Sequence, residues 1–247
     1  MTKEECEIET SKAIMEMRSR IAELEEEKAE LKKIKCQESK ESGCISEMTY
    51  SLSAFMANRD KVRIGDRVKL PSFTVPAVKM DGDEVMKFDE KDIRADDAIV
   101  IGKDENGNFI LIFDHCLFES AIDLNNEKRF EMTQLGQYLK SEFLRAMNGA
   151  GIPAEICGLI SKEEMFGDNA LEYFKTGRNR IAFDFDEDCS RYYWLSTLYD
   201  KEASAAFYIA NNRGYKTCDY ANNATRYVRP RFIIINLRGC TPRNLQE

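Results

Sequence analysis

The sequence predicts an α+β domain, built on a mainly antiparallel sheet with two helices and preceded by an N-terminal coiled-coil helix. Three observations lead there. Apolar runs of strand length come first, two helical stretches follow, and short strands return, an order that segregates helices from strands instead of alternating them. Two of the apolar runs flank Asn106-Gly107, a pair suited to a tight hairpin. The first forty residues carry no Pro or Gly after Met1 and repeat apolar residues at heptad spacing.

That N-terminal repeat is Ile14, Met17, Ile21, Leu24 and Leu31, with Lys28 at the intervening seam position. Its flanks are rich in Glu and Lys, which pair three or four residues apart on a helix and bias the choice of partner. Residues 1–43 are therefore expected to form a short coiled coil, self-associating through residues 8–35. Residues 44–61 read as linker, 62–240 as the globular domain and 241–247 as a tail.

In the globular part, residues 62–70 alternate as a strand, and 75–88 can fold back over Asp81-Gly82. The runs 98–102 and 109–113 make the hairpin at Asn106-Gly107. Thr133 is placed to cap a helix over 134–147, whose stripe of Leu135, Tyr138, Leu139, Glu142, Phe143 and Ala146 faces the core apart from the Glu. Gly149, Gly151 and Pro153 end it. Ser161 and Glu164 have the spacing of a capping box and open the second helix. Strands are then expected at 193–197, 205–210, 215–219 and 227–236.

Composition narrows the chemistry. The 247 residues carry a net charge of -8 with pI near 5.1, which disfavours nonspecific binding to a nucleic-acid backbone. The charged N-terminus lacks a signal peptide's apolar run, and no segment approaches the roughly 20 apolar residues of a membrane span. A cytoplasmic or virion-associated protein is expected. The eight cysteines show no Cys-x-x-Cys pair, so reduced thiols are expected.

No catalytic set, metal site or cofactor emerges. His115 is the only histidine, and its neighbour Cys116 would point to the opposite face of a strand. The glycines of 102–107 have the spacing of a phosphate loop, but Asn108-Phe109 stands where Lys and a hydroxyl residue belong. Asp184, Asp186 and Asp188 begin like a calcium loop, yet Cys189 replaces its turning Gly and Leu195 its bidentate Glu.

What remains is a Tyr/Asn-rich stretch. Tyr199, Tyr208, Tyr215 and Tyr220 offer rigid amphipathic area, while Asn211, Asn212, Arg213, Asn222, Asn223 and Arg226 offer adaptable hydrogen bonding, the mixture favoured by paratopes. These ten residues are the expected ligand-binding surface for a protein or glycan. Replacing Asn211, Tyr215 and Asn222 is expected to leave stability intact. Trp194 and Arg229 are expected to be structural: the first lies amid apolar neighbours, and the second precedes Pro230 in a strand leading into Phe232-Ile-Ile-Ile235.

Several anchors occur in a familiar order: Ile64-Gly-Asp66, the Ile/Val hairpin, Thr133-Gln-Leu-Gly-Gln-Tyr138, Leu159-Ile-Ser-Lys-Glu-Glu164, Tyr193-Trp-Leu-Ser196 and Val228-Arg-Pro230. In this order the chain resembles the bacterial and phage family catalogued as domain of unknown function 6273. The family usually shows Trp-Leu-Arg-Ser and Gly-Val-Arg-Pro, where this chain has Trp194-Leu-Ser-Thr197 and Tyr227-Val-Arg-Pro230. The resemblance implies a C-type-lectin-like fold, distantly similar to formylglycine-generating enzymes, and a phage or prophage setting. It leaves two readings beside recognition: an enzyme using Cys157, Cys189 or Cys218, and a structural particle component without a ligand.

Overall fold

The computed structural model of the chain describes residues 48–185, 189–200 and 204–235, all within the second of its two units, Ser46–Glu247. The heptad segment, the tail 241–247, and Asp186 and Asp188 of the acidic loop lie outside the described residues. The described part is α+β and mostly sheet. No helix among the described residues is long and apolar enough to cross a membrane.

A six-stranded sheet runs in spatial order Thr49–Ser51, Arg67–Leu70, Asp96–Lys103, Phe109–Phe113, Arg231–Ile234 and Ala154–Gly158. Only its first pair is parallel. The unbroken apolar runs of its central strands are explained by burial on both faces. Leu111, Phe113, Val100 and Phe232 enter one core with Tyr138 and Phe143, whereas Ile99, Ile110, Ile112 and Ile233 enter a second with Met165 and Phe174.

The expected hairpin closes where Gly107 adopts φ 78°, a left-handed conformation that favours glycine. The helix after Thr133 is also present, with the Thr133 hydroxyl accepting the Gly136 N–H at 3.0 Å. Gly136 is required there, since a Cβ would lie 2.0 Å from the Phe130 carbonyl oxygen. The helix runs Gln134–Tyr138, passes through a π turn at Leu139–Phe143 and ends as Leu144–Gly149. The wider turn brings Leu135, Tyr138, Leu139, Phe143 and Met147 all into the core, while Glu142 turns outward to pair with Arg145. Ser161 and Glu164 form the full capping box of a short helix, Lys162–Phe166.

Three expectations need correction. Residues 49–61, read as linker, belong to the domain: Thr49–Ser51 pairs with Arg67–Leu70, and the helix Leu52–Ala57 buries Phe55. The strand expected over 62–70 is confined to Arg67–Leu70, because the chain turns at Gly65 with φ 93°. The 75–88 hairpin pairs Val78–Met80 with Met86–Phe88 across residues 81–85 instead of a two-residue turn at Asp81-Gly82. Asn125 holds that loop open by accepting the Glu84 N–H and donating to the Glu84 carbonyl.

A second sheet of five strands follows the order Phe118–Glu119, Tyr227–Val228, Tyr193–Leu198, Ala206–Ala210 and Lys216–Tyr220. Its last strand is an edge, and the expected Tyr/Asn residues lie on or beside it.

Candidate functional site

The hairpin of Ala206–Ala210 and Lys216–Tyr220 is closed by a turn that Asn211 builds. The Asn211 Oδ1 accepts the backbone N–H groups of Arg213 at 2.9 Å and Tyr215 at 3.0 Å. Asn211 is thus a turn former in this structure, and replacing it removes two turn hydrogen bonds, contrary to the expected stability neutrality. The turn leaves Tyr215 66% exposed, beside Asn212 and Arg213, whose side chains make no hydrogen bond among the described residues.

Other members of the expected surface are engaged internally. Tyr199 and Tyr208 meet edge to face with centroids 5.3 Å apart, and the Lys162 ammonium lies over Tyr208. The Asp219 Oδ2 accepts the Arg226 Nε–H at 2.7 Å and the Asn223 amide at 2.8 Å, while Arg226 also covers the Tyr192 ring. This network fixes the loop that returns from the edge strand. Two patches remain more open: Asn212, Arg213 and Tyr215 at one end of Lys216–Tyr220, and Tyr220 and Asn222 at the other. A strand of that length separates them by about 16 Å. The more open members thus fall into two groups along one strand.

The Tyr220 end adjoins two cavities of about 570 and 400 Å³ that share Asp123 and Asn126. The first lies between residues 81–83 and the loop Asp123 to Lys128; the second continues from Asn126 past Ser204 and Ala205 to Tyr220 and Asn222. Beneath them is a buried polar frame. The Asp123 carboxylate, 2% exposed, accepts the N–H groups of Asn125 (2.7 Å), Glu127 (3.0 Å) and Gln134 (3.1 Å). The Gln134 amide donates to the carbonyls of Met80 and Glu84 and accepts the Leu124 N–H.

Asn126 stands between the cavities with φ 61°, and its Oδ1 accepts the Ala205 N–H. A non-glycine residue in that left-handed region is sparsely populated, and Asn tolerates it best. The backbone of the trough is consequently tied on both sides, to 80–84 and to 205–221. Glu127 is held below the usual carboxylate range by the Arg129 N–H and guanidinium, with the Lys128 N–H adding to the effect. Reasoning from sequence singled out Tyr220 and Asn222 but missed Asp81, Asp83, Asn126 and Lys128. The available signal was the Asx-rich run Asp123-Leu-Asn-Asn126 directly before a capped helix.

His115 has a more defined environment than sequence suggested. Its Nδ1–H donates to Asp96 Oδ1 at 2.8 Å, and its ring stacks on Phe185 with centroids 4.4 Å apart. The Asp96 carboxylate is nearly inaccessible and also accepts the backbone N–H groups of Asp97 and His115. The hydrogen bond to Asp96 raises the His115 pKa above its ordinary value, against an opposing effect of burial. A group raised in the folded state stabilises it fully below the unfolded value, near 6.5, and that contribution fades as pH rises through the folded value. The melting temperature of the wild type minus that of His115→Gln should therefore fall as pH rises above the unfolded value of about 6.5. A pH-independent difference in thermal melts would remove the Asp96 pair as its source.

The thiols of Cys116 and Cys157 are both buried, which pushes each up to about 12 and opposes thiolate formation. Asp184 of the acidic loop is occupied by Arg191 at 2.6 Å and by the Tyr227 hydroxyl at 3.3 Å. Among the described residues, no three His, Cys, Asp or Glu side chains are grouped as metal ligands would be. Comparison of the chain with protein-family models, with curated proteins and with solved structures finds no match.

Proposed function

We propose that the chain is a non-enzymatic recognition protein, presenting its ligand-binding residues along Lys216–Tyr220, an edge strand of the five-stranded sheet among the described residues. The observation that carries this reading is the edge itself. Its two ends hold the exposed Tyr215 and Tyr220 beside Asn212, Arg213 and Asn222, whose side chains make no hydrogen bond among the described residues, on loops already fixed by internal hydrogen bonds. Rigid tyrosines and free amides supply contact area at low ordering cost.

The ordered anchors support membership of the domain of unknown function 6273 family and, with the antiparallel α+β architecture, a C-type-lectin-like fold. By analogy with that family, the setting is a phage or prophage and the ligand a protein or glycan. A coiled coil over residues 8–35 would multiply weak sites into an avid array. A cytoplasmic or virion-associated location is part of the same proposal.

A glycan and surface-protein array probed with the full chain tests the reading. The pair Asn212→Ala with Tyr215→Ala, and separately the pair Tyr220→Ala with Asn222→Ala, should leave the melting temperature within about 2 °C of wild type, since Tyr215, Tyr220 and Asn222 are exposed and Asn212 is only partly buried. At least one pair should lose the ligand. Retention by both pairs, or a wild type that binds nothing on the array, would remove the function from this edge.

A further inference from the structure

We propose that the trough joining the two cavities around Asn126 binds an oligosaccharide that is neutral or carries amines. This rests on the recognition reading and deepens it, choosing the Tyr220 end of the edge strand over the hairpin tip.

The lining decides the ligand class. Asp81 and Asp83 bring two carboxylates to the first cavity against the single ammonium of Lys128, because the Glu127 carboxylate there is paired with the Arg129 guanidinium. Asp123 is a further carboxylate by sequence, but its oxygens are occupied by three backbone N–H groups, so it supports the floor and leaves little for a ligand. Net negative charge disfavours phosphates, sulfates and acidic sugars, which would meet like charge in a concave site. An apolar ligand would strip water from those carboxylates without replacing it.

Hydroxyl groups fit what remains. Each both donates and accepts, so neighbouring hydroxyls of a sugar ring can donate to carboxylates while pairing with amides in either sense. The amides are in place: the Asn222 side chain makes no hydrogen bond among the described residues, and Asn126 uses only its oxygen. Tyr220, 52% exposed at the far end of the second cavity, offers an aromatic surface to the C–H side of a pyranose. Amines on the sugar would add attraction to the carboxylates. The length matters as well. Two adjoining cavities that share Asp123 and Asn126 suit a linear chain of several sugar units, and the frame of Asp123 and Gln134 fixes their spacing before the ligand arrives.

The test is isothermal titration of the full chain with four probes: chitotetraose, its fully de-N-acetylated form, tetragalacturonate and trilysine. Saturable binding is expected for the first two, and binding at least about 10-fold weaker for the acidic tetramer. Tyr220→Ala and Asn222→Ala should each weaken chitotetraose binding by about 5-fold or more, whereas Glu105→Ala, on the exposed turn of the large-sheet hairpin, should not change it. Failure of both amino-sugar probes to bind overturns the inference, and so does trilysine or tetragalacturonate binding as tightly as chitotetraose. If saccharide binding is lost in Asn212→Ala with Tyr215→Ala but kept in the two trough variants, the trough is wrong and recognition by the edge strand stands. If no array ligand binds the wild type either, the recognition reading itself fails.

Discussion

Arg229→Ala is expected to cost about 3 kcal/mol, which for a domain of this size lowers the melting temperature by about 8 °C. Arg229 is 1% exposed and sits where the chain leaves Tyr227–Val228 of the small sheet for Arg231–Ile234 of the large one. Its Nε–H donates to the Phe113 carbonyl at 2.8 Å, at the end of a large-sheet strand. Its guanidinium lies 5.5 Å from the ring centroid of Tyr193, a small-sheet residue whose own hydroxyl donates to the Arg180 carbonyl at 2.7 Å. One side chain therefore bridges both sheets. Truncation leaves a cavity and a buried carbonyl without its donor. Arg229→Met separates the two losses, because it refills much of the volume while removing the buried charge. Urea melts should rank wild type above Met and Met above Ala; an alanine variant that melts like wild type would show that the bridge contributes nothing.

Trp194→Ala should cost about 4 kcal/mol and Trp194→Phe about 2 kcal/mol, the smaller loss reflecting a partial void and one orphaned acceptor. Trp194 is fully buried, and its Nε1–H donates to the Ser120 carbonyl at 2.8 Å. Ser120 begins the segment that continues through Ile122 and Asp123, both bonded to the Ala221 carbonyl, into the loop of the trough. The tryptophan thus anchors the segment whose continuation carries Asn126. Thermal melts of the two variants by circular dichroism check the order, and equal loss in both would assign the effect to the hydrogen bond alone. As the only tryptophan, it also makes wild-type fluorescence a report on this one junction.

What could be read from the chain without its structure is what short-range interactions decide. Thr133 and Ser161 satisfy N–H groups within three residues of themselves, and Asn106-Gly107 closes a hairpin between strands that are adjacent in sequence. The heavy apolar content of 98–101 and 109–113 likewise announced burial, because strands without a polar face must be covered on both sides. Trp194 is buried as a lone Trp amid apolar residues commonly is, whereas Arg229 departs from the usual exposure of Arg, its burial being offset by the Phe113 carbonyl and the Tyr193 ring.

Tertiary structure decided which groups meet. Parallel pairing of Thr49–Ser51 with Arg67–Leu70 depends on a crossover through the helix Leu52–Ala57 that brings the chain back in the same direction, and the Arg229 contact with Phe113 spans 116 residues. The trough assembles from residues near 81, 126, 204 and 222, whose approach is set by Asn125 gripping Glu84, by Gln134 reaching Met80, and by Asn126 accepting Ala205. Even the asparagines were separated only by folding. Asn211 spends its oxygen on two turn N–H groups, Asn223 donates to Asp219, and the Asn222 side chain remains available, although the three are chemically identical. An amide's role follows from which partner the fold brings within about 3 Å, a long-range outcome that residue type alone does not encode.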